Sequence, residues 1–219
     1  MSRTIKVTGR ARLSVRPDTT RIMITLSAVL KDYEKAVQDA ADKKNELAAS
    51  LAELGFKKSD LKTTRYDISP EHESYQDDKG HWQNRFKGYR YEHTLKLEFP
   101  VDNDTLGKVF YKLAHSSGAP EFRLLYTVKD PEPLKNKLLA QAVKDSREKA
   151  AVLADAAGVS LGEIQMIDYS WGEVEVISRS YDMVQCNKMA KFEEEKIDMD
   201  IEADDIDIQD TVTVVWEIK

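Results

Sequence analysis

The stretch IKVTGRARLSV, residues 5–15, alternates strictly between two kinds of side chain. One set is small or apolar, and the residues between its members are basic or hydroxylated; the set comprises Ile5, Val7, Gly9, Ala11, Leu13 and Val15. This period-two pattern predicts a β-strand with one covered face. After a turn at residues 16–20, a second strand from residue 21 places Ile22, Ile24, Leu26, Ala28 and Leu30 on one face. We therefore expect the chain to open with a hairpin of two one-sided strands.

The remaining pattern predicts three helices and five further strands. The helices cover residues 33–54, 103–115 and 131–157, and the strands cover residues 61–68, 89–99, 122–128, 164–171 and 211–218. In the first helix we expect Asp32 to act as N-cap. Its apolar side chains recur at helical spacing at Tyr33, Val37, Ala41, Leu47, Ala48, Leu51 and Leu54. Pro70 is expected to stop the third strand, and residues 71–88 are predicted to form a long, polar hairpin loop.

Strands that alternate with helices favour crossover units, whereas one-sided alternation favours antiparallel pairing. We therefore predict an α+β fold, with a mixed, largely antiparallel sheet and helices packed on one face. Two related helix–Gly–strand units are also predicted, because Gly55 and Gly158 each follow an Ala-rich helix and precede a strand. We interpret the repeat as structural rather than functional; the alternative is that any helix that ends on glycine before a strand would look similar.

Composition bounds the class of protein. The chain has 219 residues, of which 41% are hydrophobic and 33% charged, and we expect residues 1–219 to form one domain. A net charge of -6 argues against general nucleic-acid binding, which needs a cationic surface. The absence of a long apolar run predicts no membrane span. The single cysteine excludes an intrachain disulfide, and the polar first residues predict a cytoplasmic protein without a signal peptide.

The predicted loop 71–88 is the main candidate for a contact surface. It combines aromatic and cationic side chains, the combination that partner-binding surfaces favour, at His81, Trp82, Arg85 and Phe86. A mobile hairpin tip without function is the alternative. His72 and His81 are nine residues apart, a spacing that fits no metal site, and we expect no metal or other cofactor.

Three further features allow both a functional and a structural interpretation. The acidic stretch EEEKIDMDIEADDIDIQD, residues 193–210, lies largely in a predicted irregular acidic insertion at residues 172–209. It could hold Ca²⁺ or Mg²⁺, but we interpret it as a solvated edge that opposes aggregation. His93, on an apolar strand face, is predicted to be a hydrogen-bonded core residue rather than a catalytic one. Cys186 is interpreted as incidental rather than redox-active.

The ordered set of motifs resembles the bacterial SIMPL domain family over essentially the full chain. The resemblance rests on Val7-Thr8-Gly9, Pro17-Asp18, the Ala-rich first helix, KAAVLADAAG at residues 149–158 with its following strand, and VTVVWE at residues 212–217. It implies a mixed α/β protein that self-assembles into homo-oligomers. It also implies links to oxidative stress or signalling, frequent export to the periplasm or envelope, and no agreed catalytic residues. We expect Thr8, Gly9, Pro17 and Asp18 to shape the first hairpin.

Three functional hypotheses follow. The leading one is a non-enzymatic, self-associating protein without a cofactor, since the predicted sheet has more apolar face than three helices cover. The second is a module that binds a small ligand or peptide through the loop 71–88. The third is an enzyme that uses His93 or the acidic stretch, although the sequence lacks the common hydrolase, nucleotide-binding and zinc-protease motifs.

Overall fold

The predicted α+β class is confirmed. The computed structural model describes residues 3–117, 120–169, 174–179, 181–183 and 201–219. Its elements run in the order β1 (Thr4–Val15), β2 (Thr19–Leu30), α1 (Tyr33–Ala52), β3 (Lys62–Gln76), β4 (Trp82–Pro100), α2 (Asn103–Ala114), β5 (Glu121–Thr127), α3 (Glu132–Ala156), β6 (Leu161–Asp168), β7 (Tyr181–Met183) and β8 (Ile206–Ile218).

The strands are divided between two sheets rather than gathered in one mixed sheet. One has three strands in the order β1-β8-β6, and the other has five in the order β3-β4-β2-β5-β7. The pairs β1–β8, β6–β8, β2–β4 and β3–β4 are antiparallel. The expectation of a single sheet is wrong. The alternation of β1 and β2 shows that each has one covered face, but not that α3 covers β1 and α1 covers β2 in separate sheets.

The predicted opening hairpin is wrong. β1 pairs with β8 along its whole length, from Thr4↔Glu217 to Val15↔Ile206, whereas β2 pairs with β4 in the other sheet. Residues 16–18 are therefore a connection between sheets. Asp18 fixes this connection, because its N–H donates to the Thr127 carbonyl at 3.2 Å and its Oδ1 accepts from the Lys129 N–H at 2.8 Å.

The chain divides into two compact units. The first comprises Met1–Asp18, Thr127–Ser178 and Ala203–Lys219, and the second comprises Thr19–Tyr126 and Arg179–Glu202. Both contain the same β-α-β-β arrangement, with sheet order β1-β8-β6 in the first unit and β2-β4-β3 in the second. The predicted helix–Gly–strand units lie within it, and Gly55 and Gly158 end their helices with φ of 92° and 68°. Whether the whole chain folds as one domain stays a prediction.

In the first unit, α3 packs on β1 and β8. Its buried residues are small or aliphatic: Leu138, Ala142, Ser146, Ala150 and Ala154. Gly9 makes the close approach possible. A Cβ at Gly9 would lie 1.9 Å from the Ala142 carbonyl oxygen and 2.5 Å from the Ser146 nitrogen. The glycine of the opening strand therefore serves helix packing, not a hairpin.

In the second unit, α1 packs on β2 and β4. Its buried residues are Ala36, Ala40, Leu47, Ala48 and Leu51. The expected placement of Tyr33, Val37 and Ala41 on the covered face is wrong, because all three are exposed. Alanines at positions 36 and 40 let the helix approach the sheet closely, which larger side chains would prevent. Asp32 occupies the N-cap position, but its carboxylate pairs with Lys35 at 2.8 Å instead of capping.

Two expectations near the C-terminus are also revised. β8 begins at Ile206, so residues 206–209 of the predicted irregular insertion belong to a regular strand. Ile206 and Ile208 are buried while Asp207 and Gln209 are exposed, which explains how an acidic segment can form a half-buried strand. Cys186 and residues 193–200 of the acidic stretch lie outside the described residues.

Candidate functional site

A two-stranded arm is the candidate functional site. β3 and β4 pair out to Gln76↔Trp82, whereas β2 accompanies β4 only as far as Leu30↔Tyr89. We call residues 71–88 the arm. The predicted long loop is thus wrong, because only residues 77–81 form a turn and the rest of the arm is paired strand. The turn is held by the Asp77 N–H, which donates to the His81 carbonyl at 2.9 Å.

Polar cross-strand pairs stabilise the arm, and for this reason its sequence does not show the pattern of a strand. Ser74 Oγ donates to Asn84 Oδ1 at 2.6 Å, and Arg85 pairs with Glu73. Because both faces are largely polar, the apolar alternation that marks a half-buried strand is absent. Pro70 does not end β3, because β3 is an edge strand and the N–H that proline lacks is not required there.

Aromatic rings line one face of the arm and its root. His72 and Phe86 are cross-strand partners with ring centroids 5.7 Å apart. Phe86 lies 5.2 Å from Tyr89, and Tyr89 lies 5.5 Å from Tyr33 at the start of α1. All three contacts are edge-to-face, a favourable geometry for aromatic pairs. We call these four rings the aromatic row.

The structure separates the four contact residues predicted from sequence. Phe86 belongs to the aromatic row and is 49% exposed, and Trp82 is 73% exposed further along the same strand. Strand alternation places Trp82 and Phe86 on one face and Arg85 on the other. Arg85 lies 5.3 Å above the Tyr75 ring, and His81 sits in the turn, 3.6 Å from Asp77. Trp82 and Phe86 are thus the apolar pair, and Tyr33 and Tyr89 are the members that sequence reasoning missed.

Charged groups fix the root and the tip of the arm. Arg90 binds both carboxylate oxygens of Glu71, at 2.9 and 2.6 Å, and this contact lowers the pKa of Glu71. At the tip, the backbone N–H groups of His81 and Lys79 donate to Asp77 and hold its pKa below the ordinary value. Both carboxylates are therefore ionised at neutral pH, and the arm is held at both ends.

His93 lies on β4 in the second unit, and α1 packs on this strand. It is 5% exposed, and its Nε2 is 2.9 Å from Thr63 Oγ1, which also accepts from Lys44 Nζ at 3.2 Å. The Tyr66 ring packs edge-to-face on the imidazole at 4.8 Å. Burial, helped by the charge of Lys44, lowers the pKa of His93, although the Ala40 backbone partly opposes this. A neutral imidazole that binds Thr63 across the strands has a direct structural role in joining β3 to β4.

The described residues contain no group of three or more His, Cys, Asp or Glu side chains placed to hold a metal ion. Asp198 and Asp200 of the predicted acidic cluster lie outside those residues. Glu202 is described and exposed, just before β8. None of the three helices, as far as the structure describes them, is long and apolar enough to cross a membrane.

The fold and the arm define an α+β protein with two β-α-β-β units and an exposed hairpin arm that carries aromatic rings. Residues 5–216 match the model of the SIMPL family, which is described as a protein of unknown function (DUF541), and the chain belongs to this family. The resemblance inferred from the motifs is thereby confirmed. A search of curated proteins found no match.

Proposed function

We propose that the protein is a non-enzymatic, self-associating SIMPL protein and that the arm is its contact element. The observation that carries the proposal is the arm itself, a two-stranded ribbon that extends past the last β2 pair at Leu30↔Tyr89. Within the described residues, neither edge of this ribbon is paired between residues 71 and 88, apart from the pairing of its own two strands. Isolated two-stranded ribbons are marginally stable in water, so a further strand or surface would stabilise it.

The exposed rings supply the driving force for association. Burying an aromatic or large aliphatic side chain contributes about 1.5–3 kcal/mol relative to leaving it exposed. Trp82 and Phe86 are both on the arm and both largely exposed. Tryptophan, together with tyrosine and arginine, dominates the energetic centres of protein interfaces. A contact that buries both rings in each copy would favour association of the copies at micromolar concentration.

Light scattering coupled to size exclusion tests the proposal. We expect the full chain at micromolar concentration to elute as a species several times its 25.0 kDa mass. Trp82→Ala combined with Phe86→Ala should shift it towards 25.0 kDa. Val152→Ala removes a side chain that is also exposed, but on α3, and serves as the matched control. A parent protein that runs as a 25.0 kDa monomer at micromolar concentration would overturn the proposal.

The aromatic row also favours a second candidate, a surface that binds a small ligand or an extended peptide. Peptide-recognition domains use exposed aromatic side chains to bind extended segments, and Tyr33 and Phe86 of the row are exposed. Ligand-induced thermal shifts that occur in a monomeric parent, and are lost in the Trp82→Ala, Phe86→Ala variant, would favour this candidate. A metabolite and peptide panel that produces no shift would remove its support.

A further inference from the structure

The unpaired strand edges of the two sheets differ in how easily a further strand could pair with them. This difference indicates which edge of a second copy could receive the arm. If copies associate through the arm, as proposed above, the arm needs a receiving surface on a second copy. The described edges are β1 and β6 in the three-stranded sheet, and β3, the outer part of β4 and the short β7 in the five-stranded sheet. Unpaired edges are the places where a second chain can add a strand.

The β1 edge is occupied at Arg10. Asp145 of α3 reaches over the edge, and its Oδ2 accepts the outward N–H of Arg10 at 2.6 Å. Lys149 holds the same carboxylate at 2.7 Å. A strand that approached β1 would have to displace this contact, so β1 is an unfavourable receiving edge. The edge is also basic, since Lys6, Arg10 and Arg12 all lie on β1.

In the part of the chain that the structure describes, the outer edge of β6 has no strand partner and is apolar. Ile164, Met166 and Ile167 are 43%, 50% and 51% exposed. Ile164 and Ile167 lie opposite Trp216 and Val214 on the face that α3 covers, yet α3 packs mainly on β1 and β8 and leaves them uncovered. Met166 lies opposite Val215 on the other face. β6 thus exposes apolar side chains on both of its faces.

Charge distinguishes β6 from the β1 and β3 edges. β6 carries two carboxylates, Glu163 and Asp168, and no cation, and neither residue forms an ion pair within the described part of the chain. The β4 side of the arm, residues 79–88, carries Lys79, Arg85 and Lys87 and no carboxylate. The outer edge of β4 is therefore cationic and aromatic, whereas β6 is acidic and aliphatic.

We propose that the outer β4 edge of the arm of one copy docks on β6 of a second copy. Trp82 and Phe86, on one face of the arm, would cover the exposed side chains of Ile164 and Ile167 on one face of β6. Lys79 and Lys87 would face Glu163 and Asp168. The register of β6 is irregular before Met166, so backbone pairing is confined to residues 166–168 and side chains form most of the contact. The contact is head-to-tail, because donor and acceptor are different surfaces.

The β3 edge of the arm is a poorer donor. Pro70 removes one backbone N–H, and Glu71 and Glu73 would place negative charge opposite the carboxylates of β6. An arm-to-arm contact is a separate arrangement, in which the same surface meets itself. In an arm-to-arm contact, changes in β6 would leave assembly intact, whereas in the head-to-tail contact they would abolish it. Variants of β6 therefore distinguish the two arrangements.

Mixing two variants tests the inference. The arm variant carries Trp82→Ala and Phe86→Ala, and the strand variant carries Met166→Lys and Ile167→Lys; circular dichroism confirms that each is folded. Each variant alone should be a monomer by light scattering. Mixed in equal amounts, they should form a species of two chains, because the arm of the strand variant is intact and meets the intact β6 of the arm variant.

If the strand variant alone assembles like the parent while the arm variant does not, the inference fails and the proposed function stands. If the arm variant assembles like the parent, the proposed function fails.

A charge exchange provides a second, gentler test that leaves the apolar residues in place. Glu163→Lys with Asp168→Lys should weaken assembly at least tenfold at low salt, and so should Lys79→Glu with Lys87→Glu. Combining all four changes in one chain should restore assembly to within about threefold of the parent, since each pair again has opposite charge. If the variant with all four substitutions assembles as weakly as either double variant, the pairing of these two edges is overturned.

Discussion

The backbone N–H of Arg10 donates to Oδ2 of Asp145 at 2.6 Å, and this contact joins the outer edge of β1 to α3. The same carboxylate oxygen also accepts from Lys149 Nζ at 2.7 Å. Both partners lower the pKa of Asp145, with the hydrogen bond from Lys149 the larger cause. One side chain thus satisfies an edge N–H and opposes strand addition at that position, which makes β6 the more receptive edge of the same sheet.

Asp145→Ala should lower the free energy of unfolding by about 1.5 kcal/mol, since it removes a charge-assisted hydrogen bond and leaves the Arg10 N–H without a protein partner. The folded pKa lies below the ordinary 3.8, so the stabilisation is present in full above that pH and is lost as the pH falls through the folded value. Urea denaturation near pH 7 and near pH 3 measures both effects. Asp145→Asn retains an acceptor oxygen but not the charge and should cost less, and equal losses for the two variants would contradict a contribution from the neutral hydrogen-bond acceptor.

Gly9→Ala should destabilise the first unit strongly. The added Cβ would lie 1.9 Å from the Ala142 carbonyl oxygen, and a backbone atom of a packed helix cannot rotate away. Overpacking typically costs about 1–3 kcal/mol, and we expect a loss at or above the upper end. Lys6→Ala, which truncates an exposed side chain of the same strand, is the matched control for urea denaturation. A Gly9→Ala protein as stable as this control would show that α3 can shift freely on β1.

Much of the architecture could be predicted because local pattern and burial coincide. Residues 5–15 and 89–99 alternate with period two, and the structure covers the apolar face of each with a helix. Gly55 and Gly158 mark true helix ends with positive φ. The half-buried strands and their connecting helices were therefore recognisable from residue order alone.

The pairing of strands and the arm could not be predicted, because neither leaves a local signal. Nothing in residues 5–15 distinguishes β2 from β8 as the partner of β1, since all three strands have the same period. The arm is stabilised by polar pairs such as Glu73–Arg85, which pattern analysis interprets as a loop. The aromatic row combines Tyr33 from α1 with Phe86 and Tyr89 from β4, which only the three-dimensional structure brings together.

Stability should fall below neutral pH through His93. Because the folded pKa of His93 is lowered, mainly by burial, the unfolded chain takes up the proton more readily, and stability is lost as the pH falls from 6.5 through the folded value. We expect the parent to lose more free energy of unfolding between about pH 7 and about pH 5 than His93→Gln, which cannot titrate. Urea denaturation at the two pH values measures the difference. If both proteins lose the same amount, His93 is not the group responsible.

Tyr91→Phe should destabilise the second unit through a single lost hydrogen bond. The Tyr91 ring is fully buried, and its hydroxyl donates to Asp39 Oδ2 of α1 at 2.7 Å. Burial first, and then Asp39, raise the pKa of Tyr91, so the hydroxyl remains a donor throughout the neutral range. Without the Tyr91 hydroxyl, Asp39 would still have Lys43 at 3.8 Å and some contact with water. We therefore expect the free energy of unfolding to fall by about 1 kcal/mol, at the lower end for a hydrogen bond to a charged group.

Tyr66→Phe is the control: it keeps the ring on His93 and removes only a hydroxyl, so it should be nearly neutral. Equal unfolding free energies for the two variants would mean that the Tyr91–Asp39 bond does not help to hold α1 on the sheet.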